Sequence, residues 1–180
     1  TYFRRSLAGL AAATALLGST ALAQNVVTVN AVQIFGTIDP AKINDYTEYM
    51  AGVNLYEALT TLDGTGASQP LLADRWTTSE DGLTRTFPPK EGATFQDGSP
   101  IEAKDVVWSV NRLLAINEGP AYLFDGVLGE GSVTEIDGRT VQFVLEQTYA
   151  PFLTTTPILF VVNSDLAAEN ANDDDPWAQD

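Results

Sequence analysis

The residues that could carry chemistry in this chain are carboxylates, because the sequence contains no histidine and no cysteine. That composition excludes Ser–His and Cys–His nucleophilic pairs, thiolate chemistry and the commonest zinc sites. Oxygen-only sites remain conceivable, and the run Asp173-Asp174-Asp175 is the first place to look for a Ca²⁺ site. The run lacks the glycine and glutamate spacing of a calcium loop, so we interpret it as a solvated acidic loop.

Two other patterns could be taken for catalytic or phosphate-binding motifs. Asp97 and Asp105 are a candidate pair of carboxylates for acid–base work. The segment from Asp63 to Gly66 contains two glycines, but it lacks the remaining pattern and the lysine of a phosphate-binding loop. We therefore expect no catalytic residue, no metal and no cofactor, and a protein that is not an enzyme.

Charge and the first residues indicate an exported protein. The formal net charge of −15 makes nucleic acid or an anionic membrane surface a poor partner. Arg4 and Arg5 give a positive start, residues 7–17 form an apolar run too short to span a bilayer, and Ala21-Leu22-Ala23 resembles a cleavage site. We predict a signal peptide over 1–23 and a periplasmic protein that is not membrane-embedded. An ordinary buried helix is the alternative for the apolar run.

Helical periodicity marks three segments. The first is Asp45–Leu59, with Asp45 as its N-cap. Its apolar face consists of Tyr49, Val53, Tyr56 and Leu59. The clearest helix is Ala103–Ile116, with Asp105 near its positive N-terminal end. Its apolar stripe consists of Val106, Val107, Val110, Leu113 and Leu114. Ser164–Asn170 is a short helix that we expect Ser164 to cap.

The remaining pattern predicts short antiparallel strands. Val26–Val29 is rich in β-branched residues, and Arg75–Phe87 contains two strands around a turn at residues 80–82. Val133–Ile136 and Thr140–Leu145 form a hairpin around Asp137-Gly138, a pair suited to positive backbone angles. Ile158–Val162 reads as a buried strand. Hairpins mixed with helices, rather than regular β-α-β units, predict an α+β fold.

One ordered block, Pro70–Leu113, is more specific than its parts. Leu-Ala-Asp-Arg-Trp at 72–76, Phe-Gln-Asp-Gly at 95–98 and Ala-Lys-Asp-Val-Val-Trp at 103–108 follow one another in this block, and Asp39-Pro40 and Asn54–Leu59 precede it. In this order and spacing the chain resembles the family 5 extracellular solute-binding proteins. These are the binding proteins of the dipeptide, oligopeptide and nickel class of ABC importers.

The resemblance implies part of a two-lobe fold of the type II periplasmic-binding-protein kind, mainly its small mixed lobe with antiparallel hairpins. Residues 24–56 would be the N-terminal segment of the large lobe, and residues 57–180 a small mixed α/β subdomain truncated at its C-terminal end. The implied function is capture of a peptide or similar small solute by a monomer, which delivers it to membrane permeases. A stand-alone secreted interaction or structural module is the alternative, since most of the block is turn and core chemistry.

The same resemblance implies ligand contacts, carried over by position. Asn44 and Tyr46 follow the Asp-Pro motif, and Tyr122 is the aromatic that follows the long helix near a proline. A tyrosine suits such a contact because its ring offers apolar area and its hydroxyl a polar tip. The resemblance also implies that Asp97 and Asp105 are structural rather than catalytic.

Pro88-Pro89 departs from the family pattern. Many members carry Phe-x-Leu-Arg where this chain has Phe87-Pro88-Pro89-Lys90. Two prolines remove two hydrogen-bond donors from what should be a strand. Either the strand ends at Phe87, or it lies at the edge of its sheet.

Overall fold

The computed structural model describes Thr28, Asn30 and residues 36–179 of the chain. The predicted signal peptide over 1–23 and most of the predicted strand Val26–Val29 lie outside these residues. The described part is an α+β structure whose strand pairs are all antiparallel, as the sequence predicts. Its strands are β1 (Glu57–Ala58), β2 (Thr60–Leu62), β3 (Ser68–Pro70), β4 (Thr77–Thr78), β5 (Thr84–Phe87), β6 (Val133–Glu135), β7 (Val141–Val144) and β8 (Phe160–Val161). Its helices are α1 (Tyr46–Leu55), α2 (Ala103–Ile116), α3 (Phe152–Thr155) and α4 (Ser164–Asn170), with 3₁₀ turns at Gly119–Phe124 and Thr156–Ile158.

The first helix is shorter than predicted, and its predicted apolar face is only partly buried. The Asp45 side chain caps it by accepting the Glu48 N–H, as expected, but the helix ends at Leu55 rather than Leu59. Tyr56 is extended and the chain enters β1, which pairs with β8, so tertiary pairing overrides the helical pattern. Of the predicted apolar face, Leu59 is buried and Tyr49 and Tyr56 are half-buried against Phe160, but Val53 is exposed. The helix also buries Thr47, Glu48 and Gly52, which the pattern did not predict.

The central sheet has the order β4-β5-β7-β6 and carries the main core. One face alternates as predicted, with Val141 and Phe143 of β7 and Phe87 of β5 fully buried. The Phe143 ring meets Phe87 and Phe152 edge-on at centroid distances of 5.5 and 5.4 Å. Both predicted hairpins are confirmed, and Gly138 takes the positive φ of 74° that its turn requires.

The proline pair stands directly after a central strand. Because β5 lies between β4 and β7, it is not at the edge of the sheet, and of the two alternatives the strand ends at Phe87. Beyond it, Pro89 forms an isolated bridge with Ala73, and the Lys90 N–H donates to the Leu72 carbonyl at 2.6 Å. The two missing donors therefore fall where the ladder with β7 has already finished.

Helix α2 has the predicted bounds and crosses the core. Val106, Val110 and Leu113 of its predicted stripe are buried, and Val107 and Leu114 are half-buried against the same cluster. At its start the Glu102 N–H donates to Asp105 at 2.8 Å. At its end Asn117 adopts the left-handed conformation with φ 54°, which asparagine tolerates better than most residues.

The last helix, α4, is present as predicted but is capped by another residue. Asn163, not Ser164, accepts the Leu166 N–H at 3.0 Å. The Ser164 hydroxyl points the other way and donates to the buried Asp105 carboxylate at 2.6 Å. The expectation that Ser164 is the cap was wrong because a nearby buried carboxylate competes for its hydroxyl.

Candidate functional site

The three residues implied as ligand contacts all lie at the surface. Asn44 precedes α1, Tyr46 is the first residue of α1, and Tyr122 lies in the 3₁₀ turn Gly119–Phe124. Tyr46 is 75% exposed and Tyr122 is 70% exposed, which is unusual for rings of this size. Their apolar area is therefore available to another molecule or another part of a longer chain.

A close backbone contact brings the two tyrosine-bearing segments together. A Cβ atom at Gly119 would lie 2.7 Å from the Ile43 carbonyl oxygen and 2.9 Å from that of Ala41. Gly119 also has a φ of 46°, so glycine is required here both by space and by conformation. The turn that carries Tyr122 thus abuts the residues just before Asn44, although the two segments are far apart in sequence.

The loop over residues 36–44 is held by the carboxylate of Glu48. One carboxylate oxygen, Oε1, accepts the N–H groups of Gly36 at 2.8 Å and Thr37 at 3.0 Å. The other oxygen, Oε2, accepts the N–H of Asn44 at 2.9 Å. Glu48 is only 3% exposed. The sequence pattern gave no sign of this, because Glu48 stands on a helix whose predicted inner face was aromatic.

An ion pair between the buried Arg112 of α2 and the half-buried Asp39 fixes the same loop. The Arg112 guanidinium donates to both Asp39 oxygens, at 2.6 and 2.7 Å, and its Nε donates to the Trp177 carbonyl at 2.7 Å. Burial alone raises the pKa of Asp39, but hydrogen bonds from Arg112 and the Ala41 N–H, with the charge of Arg112, outweigh it and hold that pKa below its usual value. Arg112 also lies 5.8 Å from the centre of the Trp108 ring.

Helix α2 carries these contacts on a polar stripe beside its apolar one. Asp105, Ser109 and Arg112 recur at four- and three-residue spacing, and all three are buried. Ser109 accepts the Val162 N–H at 3.0 Å, and Asp105 accepts the N–H and hydroxyl of Ser164. This spacing was visible in the sequence, and it is the signal that could have identified Arg112 as a buried residue.

The ion pair lies in the wall of a cleft of about 820 Å³. The cleft lies among residues 37–40, the end of α1, the middle of α2 and one side of α4. Its lining includes Ile38, Tyr56, Trp108 and Leu166. None of Asn44, Tyr46 and Tyr122 lines it. Sequence reasoning missed the cleft because its walls come from segments distant along the chain.

Each guanidinium nitrogen of Arg112 donates to a protein oxygen, so that cation is already matched within the fold. Over the residues that the structure describes, no group of three or more acidic side chains is placed to hold a metal ion. No helix in the same part of the chain is both long enough and apolar enough to cross a membrane.

Comparison with known proteins identifies relatives of this chain by sequence. Residues 67–180 match the family model described as bacterial extracellular solute-binding proteins, family 5 middle. The chain is 35% identical over 145 residues to a probable D,D-dipeptide-binding periplasmic protein of Escherichia coli K12, covering 77% of this chain and 28% of that protein. It is 31% identical over 165 residues to a probable deoxycholate-binding periplasmic protein of the same strain, covering 80% and 30%.

The fold of this chain is also found in a solved structure. The murein tripeptide binding protein of Escherichia coli superposes with a TM-score of 0.65 at 26% identity, covering 74% of this chain and 30% of that one. The chain therefore spans only 28% to 30% of the length of these relatives.

Proposed function

Because this chain belongs to the bacterial extracellular solute-binding proteins of family 5, we propose that it is part of the substrate-binding component of an ABC importer. The observation that carries the proposal is the match of residues 67–180 to the family model. The protein captures a small solute in the periplasm and delivers it to membrane permeases. It makes or breaks no bond, and it acts as a monomer exported by the signal peptide over 1–23. The comparisons give no support to a stand-alone interaction module.

Peptides are the ligand class we propose. The support is the 35% identity to a protein named for D,D-dipeptides and the fold shared with one named for a murein tripeptide. In this chain the proposed contacts are Asn44, Tyr46 and Tyr122. Their amide, ring and hydroxyl groups are neutral, so they suit the backbone and apolar parts of a peptide rather than its charged ends.

Two exposed tyrosines fit a site that is completed by closure. A second lobe that swings over a bound peptide would cover the rings of Tyr46 and Tyr122, which are 75% and 70% exposed in the described part. Aromatic rings in such positions supply contact area at a low cost in side-chain entropy. Binding then depends on these two side chains although they contribute little to the stability of the fold.

The test is a binding measurement on the full-length protein. Isothermal calorimetry with D-alanyl-D-alanine, the murein tripeptide and deoxycholate identifies the ligand class. We expect a peptide to bind, and Tyr46→Ala and Tyr122→Ala each to weaken it by about tenfold with little change in melting temperature. Ile136→Ala, at a residue that is 54% exposed at the end of a hairpin, is the matched control and should bind like the wild type. Binding of deoxycholate alone would refute the peptide assignment, and unchanged affinity in both tyrosine variants would refute the site.

A further inference from the structure

Glu48 occupies a helix position where a glutamate side chain commonly caps its own helix. It is the third residue of α1, counted from the first residue after the Asp45 N-cap. A glutamate there commonly reaches back to the N-cap N–H. In this chain its carboxylate accepts three N–H groups from the preceding loop, at 2.8, 3.0 and 2.9 Å. The side chain thus organises the segment before the helix.

A second observation shows how closely the loop approaches this carboxylate. A Cβ atom at Gly36 would lie 2.7 Å from Oε1 of Glu48. Such a distance is closer than ordinary packing allows, so a side chain at residue 36 would require the Glu48 carboxylate to move. The loop backbone therefore approaches the buried acid closely at this end of the loop.

The three bonded amides lie beside two candidate binding surfaces, the cleft and the surface that includes Asn44. Thr37 and its neighbour Ile38 line the cleft, and Asn44 is a proposed ligand contact. The Thr37 hydroxyl also accepts the Asp39 N–H at 2.9 Å, which joins the Glu48 contacts to the Asp39–Arg112 pair. The Glu48 side chain therefore holds both ends of the loop over residues 36–44.

We propose that Glu48 is the positioning residue of the binding site: its carboxylate holds the loop over residues 36–44 in the shape that binds the ligand before the ligand arrives. The proposal rests on the proposed function and deepens it, since it names the residue that sets the geometry of the Asn44 contact. Glu48 itself does not touch the ligand.

The isosteric change Glu48→Gln separates positioning from general stability. A glutamine oxygen can replace Oε1 and keep the bonds from Gly36 and Thr37, but its NH₂ group then faces the Asn44 N–H, and two donors cannot bond. We expect faster hydrogen exchange at the Asn44 amide, with Gly36 and Thr37 still protected. Glu48→Ala should speed hydrogen exchange at all three backbone amides by about tenfold or more, because each amide loses its bond to a charged acceptor.

The experiment uses the full-length protein without ligand, with exchange resolved at single amides and Val110 of α2 as the internal reference. Glu135→Gln, at an exposed carboxylate on β6, is the matched control and should change none of these amides. Selective acceleration at the loop amides supports the proposal. An equal acceleration at Val110 would overturn it, since Glu48 would then act only through overall stability.

A second measurement links the loop to binding. The D-alanyl-D-alanine affinity of Glu48→Ala should fall by about tenfold, and that of Glu48→Gln by less, in the order of the amide effects. Selective loop exchange with unchanged affinity would overturn the positioning role. If the wild-type protein binds no peptide, the proposed ligand class fails. The affinity comparison is then made with deoxycholate, so the fate of Glu48 is decided separately.

Discussion

The Asp39–Arg112 pair gives the sharpest stability prediction. Its side chains are 17% and 8% exposed, and two hydrogen bonds of 2.6 and 2.7 Å join them. Removing Asp39 leaves the Arg112 charge buried without a counter-ion, which costs about 3–5 kcal/mol. We expect a loss of that size in the free energy of unfolding for Asp39→Asn, and a smaller loss for Arg112→Met, because the Asp39 carboxylate that remains is only half-buried.

The double variant tests whether the loss belongs to the pair. Combining Asp39→Asn with Arg112→Met removes both charges, so its loss should fall short of the sum of the single losses by more than about 1 kcal/mol. The exposed pair Arg139–Glu91, at 3.2 Å with side chains 77% and 82% exposed, is the matched control. There the coupling should be small, as is typical for surface ion pairs.

Urea denaturation of the full-length protein, followed by tryptophan fluorescence, measures these free energies. Trp108 is a suitable reporter because its ring lies 5.8 Å from Arg112 and 5.8 Å from the Trp177 ring. A coupling for Asp39–Arg112 as small as that for Arg139–Glu91 would refute the reasoning, since burial and bidentate geometry would then add nothing to the interaction.

The pH dependence follows from the same pair. The folded state holds the pKa of Asp39 below its ordinary value of 3.8, so the unfolded chain binds the proton first as the pH falls. The stabilisation is fully present well above 3.8 and is lost as the pH falls from there through the lower folded-state pKa. The stability difference between wild type and Asp39→Asn should therefore be constant near neutrality and shrink in acid. A difference that grows in acid would contradict the assigned direction.

Two further stability predictions use the same denaturation assay. Gly119→Ala should cost about 1–3 kcal/mol more than Gly66→Ala, because both glycines have positive φ but only Gly119 faces backbone atoms at 2.7 Å; equal losses would mean that the close contact is unimportant. Asn163→Ala should cost about 1 kcal/mol through the lost cap, whereas Ser164→Ala should cost about 1–3 kcal/mol because it removes a donor from the buried Asp105 carboxylate. An Asn163→Ala variant as stable as the wild type would contradict the assignment of Asn163 as the cap.

Local signals in the sequence predicted most of the elements. The bounds of α2 follow from a stripe of branched residues, and the hairpin around Asp137-Gly138 follows from alternation and turn chemistry. The end of α1 could not be predicted in this way. Residues 57–58 continue a helical pattern, but they pair with Phe160–Val161, about a hundred residues further along. The boundary between residues 24–56 and 57–180 stays a prediction, and contacts cross it at Asp39–Arg112.

The proposed ligand contacts and the charged residues that hold the loop differ in how far the sequence reveals them. Asn44, Tyr46 and Tyr122 could be named by position because a motif precedes each of them. Glu48 could not, because its partners are backbone amides supplied by another segment. The spacing of Arg112 with Asp105 and Ser109 could mark Arg112 as buried, but not its partner, a carboxylate distant in sequence.

From the sequence alone, a charged residue beside an apolar helical stripe is interpreted as exposed to solvent. In this fold Glu48 and Arg112 are buried instead, and each bonds to the loop over residues 36–44. The loop that the motif identifies is therefore shaped by two buried charges that the motif does not contain. The family resemblance therefore names candidate contacts beside this loop, but it does not reveal the two charges that hold the loop.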